Sequence, residues 1–524
     1  MNMQLINRNF LATHCKRRNF LLGAGLITGL VVASQWHPVM AQTTFSGYPF
    51  SLGVASGDPL PDSVVLWTRL APDPVNGGGM SRVNVPVQWQ IARDENMTQV
   101  VQKGTVLATP ELAHSVHVDV RGLEPDRWYW YQFKVGNEVS PKGRTRTAAA
   151  PHSSIQKFNF AFASCQDWQN GFYTAYKHMA DEDLDLVVHL GDYIYEYGPR
   201  SGAPRQHIGP EIVTLSDYRN RYALYRTDVN LQAAHANFPW IFTWDDHEVD
   251  NNYANFIPED NQSRQAFEGR RANAYQAYYE HMPLRLSSLP KQSSMLLYRR
   301  LTFGDLAEFN VLDTRQYRTD QPCNDGLKPR CDAALDSKAT MTGARQEGWL
   351  LRGLDQSKAR WNVIAQQTML GQFDFDARPD SQVFNVDQWD GYVAARNRLL
   401  SFLAQRKPSN PVVITGDIHS SWVHDLKTDF NNPLSATVGT EFVGTSITSN
   451  FPTNSIAPVK AALSNNPHTK FFDAAYRGYV RCQLTRERWQ TDYRVVSSIL
   501  EENASISTLA SFVVENGQPG AKTA

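Results

Sequence analysis

Between positions 46 and 148, short runs of alternating apolar and polar residues recur at regular spacing, broken by Gly, Pro and Asp. Such runs at 64–70, 87–91, 114–120 and 128–135 predict β-strands of a sandwich rather than helices. After a Pro/Ser break at 151–154 the texture changes. Continuous apolar β-type runs at 158–164, 186–190, 240–244, 308–312, 361–366 and 412–415 alternate with longer helical stretches, the pattern of an α/β domain whose strands are covered on both faces. The clearest helix is Arg264–His281, with Phe267, Arg271, Ala274 and Tyr278 on roughly one face and Pro283 ending it. Each strand run ends where polar residues cluster. In open α/β sheets those carboxyl ends are where ligand sites gather, because loops converge there without interrupting the ladders.

Within the first region, Gly122-Leu123-Glu124-Pro125 leads into Tyr129 and Tyr131, similar to the tyrosine corner of fibronectin type III and immunoglobulin-like sandwiches. The stretch before it has a different character. Lys16-Arg17-Arg18-Asn19-Phe20-Leu21-Leu22 opens a weakly apolar, Gly-broken run, and Val39-Met40-Ala41 offers small residues for cleavage. Paired arginines before Phe and Leu resemble a twin-arginine export signal, read by an export machinery that carries folded proteins. The run is shorter than the ~20 residues a membrane span needs. The expected organisation is a signal peptide at 1–41, an N-terminal sandwich domain at 42–150, a catalytic domain at 151–505 and a C-terminal tail at 506–524. The expected destination is periplasmic or secreted, with no transmembrane anchor in the mature chain.

With 51 Lys plus Arg against 52 Asp plus Glu, the chain has no global field to attract nucleic acid or an anionic membrane. An anionic substrate must then be captured by a local site. Of the five cysteines, Cys323 and Cys331 bracket a polar loop and are close enough to pair in an oxidising compartment, while Cys482 reads as a half-buried strand thiol.

The strand ends carry that local site. They bring Cys165, then Gly191-Asp192-Tyr193-Ile194-Tyr195, then Asp245-Asp246-His247-Glu248, then Gly416-Asp417-Ile418-His419. A lone Gly-Asp after a strand is ordinarily a turn. Separate strands each delivering a metal-type ligand are hard to attribute to turns. On an extended segment Asp417 and His419, two apart, leave the same face toward one centre. If the loop after Asp192 curls through a helical turn, Tyr195 and Asp192 reach the same ion, and the carboxylate can bridge to a second.

Together with Ser56-Gly57-Asp58-Pro59, Trp67-Thr68-Arg69 and Phe162-Ala163-Ser164-Cys165, these motifs resemble the PhoD-type alkaline phosphatases. That family is related to purple acid phosphatases within the calcineurin-like metallophosphoesterases. Where the wider superfamily has Gly-Asn-His-Glu/Asp, this chain has Asp245-Asp246-His247-Glu248; its Cys165 and Gly-Asp417-Ile-His419 also depart from the superfamily's usual Asp and Gly-His-x-His. The resemblance implies an α/β metallophosphoesterase fold, layered β-sheets flanked by helices, preceded by a fibronectin/immunoglobulin-like β-sandwich. It also implies hydrolysis of phosphate esters using Fe3+ and Ca2+.

Thiolate, phenolate and imidazole from Cys165, Tyr195 and His419, with Asp192 as bridge, suit trivalent iron. Asp246, Asp417 and the other arm of Asp192, with Asn251 or Asn252 nearby, suit calcium. His247 is then the acid for the leaving oxygen, and Arg315 the holder of phosphoryl oxygens, unless it is simply tied to a neighbouring carboxylate. For Cys165 the alternative is a buried core thiol. His189 reads as a core histidine with support of a ligand as the alternative, and Trp168, Trp240 and Trp244 either wall the site against water, contact an organic leaving group, or simply pack. Expected substrates are small phosphate esters, with phospholipid or nucleotide esters within reach of the same chemistry and no specific nucleic-acid partner. A phospholipase D-like diesterase is the competing enzyme, and a non-catalytic surface binding protein the competing class.

Overall fold

The computed structural model describes residues 45–524 apart from 261 and 379. The export signal expected at 1–41 lies outside the described residues. The core of the molecule is a pair of mixed sheets. The larger has ten strands in the order Gln518–Thr523, Ile506–Glu515, Arg488–Val496, Arg477–Thr485, Lys157–Ala163, Leu186–His189, Pro239–Phe242, Val54–Leu60, Ser63–Arg69 and Ser115–Arg121. The smaller has seven, in the order Arg299–Phe303, Ala307–Val311, Trp361–Ala365, Pro411–Thr415, Thr437–Val443, Ser421–Lys427 and Thr469–Asp473.

Strand periodicity explains why the two sheets meet. In Lys157–Ala163, Phe158, Phe160 and Phe162 enter one apolar cluster, while Ala161 and Ala163 enter another. The phenylalanine face joins Val188 and Ile241 of the same sheet to Phe309, Val363 and Val412 of the other, so the sheets pack through a shared core. The alanine face, with Val187, Trp240 and Phe242, is covered by helices, among them Arg264–His281. That helix is capped by the Ser263 hydroxyl accepting from the Ala266 N–H and buries Phe267, Arg271, Ala274 and Tyr278.

Central strands in both sheets run parallel. Lys157–Ala163, Leu186–His189 and Pro239–Phe242 do so in one, and Ala307–Val311, Trp361–Ala365 and Pro411–Thr415 in the other. Their carboxyl ends therefore open at common edges, and the loops that follow carry the acids and imidazoles singled out above.

Two features depart from the expected organisation. The N-terminal strands are not a free-standing module, because Val54–Leu60 pairs in parallel with Pro239–Phe242 and so extends the central sheet. That extension also packs on a five-stranded sheet, with Val64, Leu66 and Val118 against Val87, Tyr131 and Phe133. The Tyr129 hydroxyl accepts the Glu124 N–H at 2.9 Å, closing the corner anticipated there. The second departure is the tail. Residues 506–524 form two edge strands of the ten-stranded sheet, and Phe512 and Val514 lie in the core between the sheets. Short local polarity near 516–524 concealed an apolar alternation that only pairing with Arg488–Val496 makes useful.

Ending the chain after Ser505 should therefore cost about 3–6 kcal/mol, the burial of two large apolar side chains. Urea denaturation of the truncated protein checks this; an unchanged midpoint would mean that these two strands add nothing to stability.

Candidate metal centre

Cys165, Asp192, Asp417 and His419 all lie just beyond strands, and all have positive φ, from 55° to 62°. Left-handed backbone is unfavourable for residues with a Cβ, so four at one locus mark a place where geometry outweighs local strain. Gly191, at φ 114°, has no such choice: a Cβ there would stand 2.5 Å from the Asp245 backbone nitrogen. The same backbone corrects one expectation. Asp417 and His419 do not share a face of an extended segment; both are left-handed, and they point into different parts of the cluster.

His419 faces the first part. Ligand atoms of Cys165, Asp192 and His419 lie within 4.8 Å of one another. Tyr195 completes this group, its hydroxyl 3.0 Å from Asp192 Oδ2 and 3.2 Å from His419 Nε2, and it accepts from the Ser449 hydroxyl at 2.6 Å. Asp192, Asp246 and His247 form a second group, and Asp245, Asp246 and Asp417 a third. Asp192 and Asp246 are each shared, so the eight expected residues form one continuous chain once Arg315 is added. Asn251 and Asn252 are less direct. The Asn252 N–H donates to Asp246 Oδ2 at 2.6 Å, while its side chain reaches Asp325 and that of Asn251 reaches Glu259.

Arg315 is fully buried and its donors are already committed. Nε donates to Asp245, the two terminal nitrogens to both Asp387 oxygens at 2.9 and 3.0 Å, and Nη2 also to Asp417 at 3.0 Å. The carboxylate-bound alternative is the one the geometry favours over a phosphoryl clamp. Gln388 holds the other Asp417 oxygen at 2.5 Å.

His247 donates or accepts at Nδ1 with Glu196 Oε2, 2.7 Å away. Burial opposes charge on this imidazole, yet Glu196, Asp246 and Asp192 together hold it well above the ordinary histidine range. Burial also acts on Asp246, but Arg315 and His247 win and keep its carboxyl below the usual range. Asp417 goes the other way. Burial with Asp387, Asp246 and Asp192 nearby pushes it up to about 6 against the pull of Arg315. Glu248, accepting the N–H groups of Asp192, Tyr193 and Asp245 at 3.0, 2.6 and 2.9 Å, ties the two acidic loops together; burial and Asp192 raise it to about 8.

The acids outnumber their cations. Arg315 serves Asp245, Asp246, Asp387 and Asp417, Arg318 shares Asp387 at 3.1 Å, and among the described residues no arginine pairs with Asp192; Asp192 Oδ1, Asp245 Oδ2 and Asp246 Oδ1 are buried without a donor. Unpaired buried carboxylate oxygens are costly. The donor set of thiol, phenol, imidazole and carboxylates therefore fits metal ions, which would occupy those free positions.

Sequence reasoning missed Glu196, Asp387, Gln388 and Ser449. Glu196 follows Tyr195 directly and could have been found as an acid beside a ligand loop. Asp387 and Gln388 come from a stretch between Trp361–Ala365 and Val393–Arg406 that lacks any strong strand to mark it.

Acids and imidazoles gathered at the strand ends of a mixed α/β scaffold fit a metal-dependent enzyme, and comparison with known proteins gives the class, a hydrolase of phosphate esters. The family model described as PhoD-like phosphatase matches residues 160–493, and that of the PhoD-like phosphatase N-terminal domain matches 35–149. The chain belongs to the PhoD-like phosphatase family and is an enzyme acting on phosphate esters. It is 55% identical over 516 residues to alkaline phosphatase D of Bacillus subtilis (strain 168), covering 96% of this chain and 88% of that protein. A solved structure of PhoD superposes with a TM-score of 0.89 at 55% identity, over 92% of this chain and 93% of that one. GAP50, the anchor in the inner membrane complex of Plasmodium, gives a TM-score of 0.33 at 12% identity over 68% of this chain and 89% of that one, too remote to carry an argument. Family membership sets aside the non-catalytic surface protein.

Replacing Arg315 by Met should destabilise the chelated, metal-free protein by about 3–5 kcal/mol, because buried carboxylates lose their partner. Equilibrium unfolding in urea measures it; a change under about 1 kcal/mol would mean that the acids are compensated elsewhere.

Proposed function

We propose that this chain is an exported alkaline phosphatase that uses iron and calcium to hydrolyse phosphate esters. The observation that carries the reading is the run of shared carboxylates from Cys165 to Asp417, with buried oxygens aimed inward and lacking donors. Cys165, Tyr195 and His419 with one arm of Asp192 would hold the softer, higher-charged iron; Asp246, Asp417 and the other arm of Asp192 would hold calcium. Such ions, when bound, neutralise phosphate oxygens and activate water. Within the family, the finer classification that fits is a metallophosphoesterase layering of sheets behind a fibronectin-like sandwich.

The protein's own groups supply the rest. His247 is held at Nδ1 by Glu196, which leaves Nε2 to hand a proton to the leaving oxygen. Glu196 also accepts the Asn251 N–H at 2.9 Å, so its carboxylate is fixed before the imidazole docks on it. Glu248 keeps the Asp192 and Asp246 loops in register. Arg315 preserves the spacing of Asp245, Asp387 and Asp417 and adds positive charge behind the site.

Cys323 and Cys331 form a disulfide, in keeping with an oxidising compartment. No helix among the described residues is long and apolar enough to cross a membrane. The disulfide supports a periplasmic or secreted enzyme, and the paired Arg17 and Arg18 support delivery by the twin-arginine machinery. A second reading, a phospholipase D-like diesterase, is favoured by one feature. Ile418, between Asp417 and His419, packs partly buried against a cluster that includes Phe373 and Phe451, which sets an apolar side chain directly between two residues of the site.

Proton donation by His247 has a distinctive test. His247→Gln should lower kcat on an alkyl phosphate by about 10²–10⁴-fold, the usual worth of a general acid. On p-nitrophenyl phosphate, whose leaving group needs no proton, the loss should be much smaller. Equal losses on both esters would remove His247 from the acid role.

A further inference from the structure

The mouth of the site is marked by partial exposure. The His419 side chain is 23% exposed, that of His247 9%, and Tyr197, whose ring centroid stands 5.4 Å from that of His247, is 42% exposed. If His247 protonates the leaving oxygen, the leaving group departs on this side, past Tyr197. Three residues further along the same loop stands Arg200.

Arg200 differs from the other arginines near the site. Arg315 is bound by carboxylates, Arg205 pairs with Asp228 at 2.7 Å, and Arg221 donates to the Tyr195 and Tyr197 carbonyls. The Arg200 side chain is 52% exposed; it donates to the Asn170 amide oxygen and comes no closer than 3.8 Å to Asp167. Its position is nonetheless built. The Arg200 N–H donates to Gln169 Oε1 at 2.6 Å, and the Gln169 amide donates back to the Gly198 carbonyl at 3.1 Å, so the loop is pinned to the Trp168–Asn170 turn. That turn is coupled to the ligands: the Asp167 N–H donates to the Ser449 hydroxyl, which in turn donates to Tyr195.

We propose that Arg200 is a specificity residue that binds a second anionic group, carboxylate or phosphate, on the leaving group of the substrate. A half-exposed guanidinium with Asn170 as its one hydrogen-bond acceptor has donors left to pair with either anion through two parallel hydrogen bonds. Tyr197, beside His247 and three residues before Arg200 on the same loop, would offer the leaving group a flat apolar surface. The preferred substrates are then organic phosphate esters with two anionic ends. This assignment rests on the phosphatase reading, since it takes the leaving group's direction from His247.

The test compares phenyl phosphate with 4-carboxyphenyl phosphate on the full-length, metal-loaded enzyme. The wild-type protein should favour the carboxylated ester in kcat/KM, through KM. Arg200→Gln should lower the ratio of the two kcat/KM values by about tenfold, and Arg200→Lys should recover part of it. Because both esters are measured on the same preparation, the ratio is independent of how much of the variant is folded. An unchanged ratio in Arg200→Gln overturns the proposal while leaving the phosphatase reading intact. Failure of the wild-type enzyme to hydrolyse either ester would overturn both.

Discussion

Charge compensation around Arg315 is the constraint on which the rest of this structure depends. One fully buried guanidinium answers Asp245, Asp387 and Asp417 directly and lies 3.6 Å from Asp246, and no arginine reaches Asp192. Arg318 shares Asp387 and the His247 imidazole lies among Glu196, Asp246 and Asp192, yet these cations are still fewer than the carboxylates buried here. On the proposed reading the shortage serves function. Acids left short of positive charge are acids prepared to take ions, and their spacing is fixed before any ion arrives by Arg315, Glu248 and Gln388. In that view Arg315 is a permanent cation behind the exchangeable ones.

The fold exists to make such a concentration tolerable. Two sheets share an apolar core of Phe160, Phe309, Val363 and Val412, and their parallel strands end in a common region. The candidate ligands can then sit on loops two to six residues past a rigid strand. Left-handed φ at Cys165, Asp192, Asp417 and His419 turns each side chain inward immediately, at a local cost the surrounding core bears. The edge strands at 506–524 and the N-terminal strands extend the larger sheet on both sides, so segments that look peripheral in sequence stabilise the site.

Much of the site was legible in sequence because its residues are local: each ligand follows an apolar run, and Cys165, Asp192, Tyr195, Asp246, His247, Asp417 and His419 do converge. Less legible was anything that depends on pairing over distance. Nothing near Asp387 announces that it will hold Arg315, and nothing in Glu196 announces that it will orient His247. Arg315 itself was read with two possible partners, and only the fold shows carboxylates on its donors. Strand runs in both regions were recoverable from periodicity, but the strands at 506–524 and the merger of Val54–Leu60 with the central sheet were not. Both are registers set by a partner strand, and the period of two says which face is apolar without saying what it meets.

The central claim is that metal ions complete the charge balance that Arg315 begins, with Asp192 shared between them. Elemental analysis of the exported protein, beside an Asp192→Asn variant prepared in the same way, tests it most directly. Iron and calcium in fixed proportion to the wild-type chain, both depleted together in the variant, is the expected result. A wild-type protein that carries neither metal and still hydrolyses phosphate esters at full rate in the presence of a chelator would contradict it.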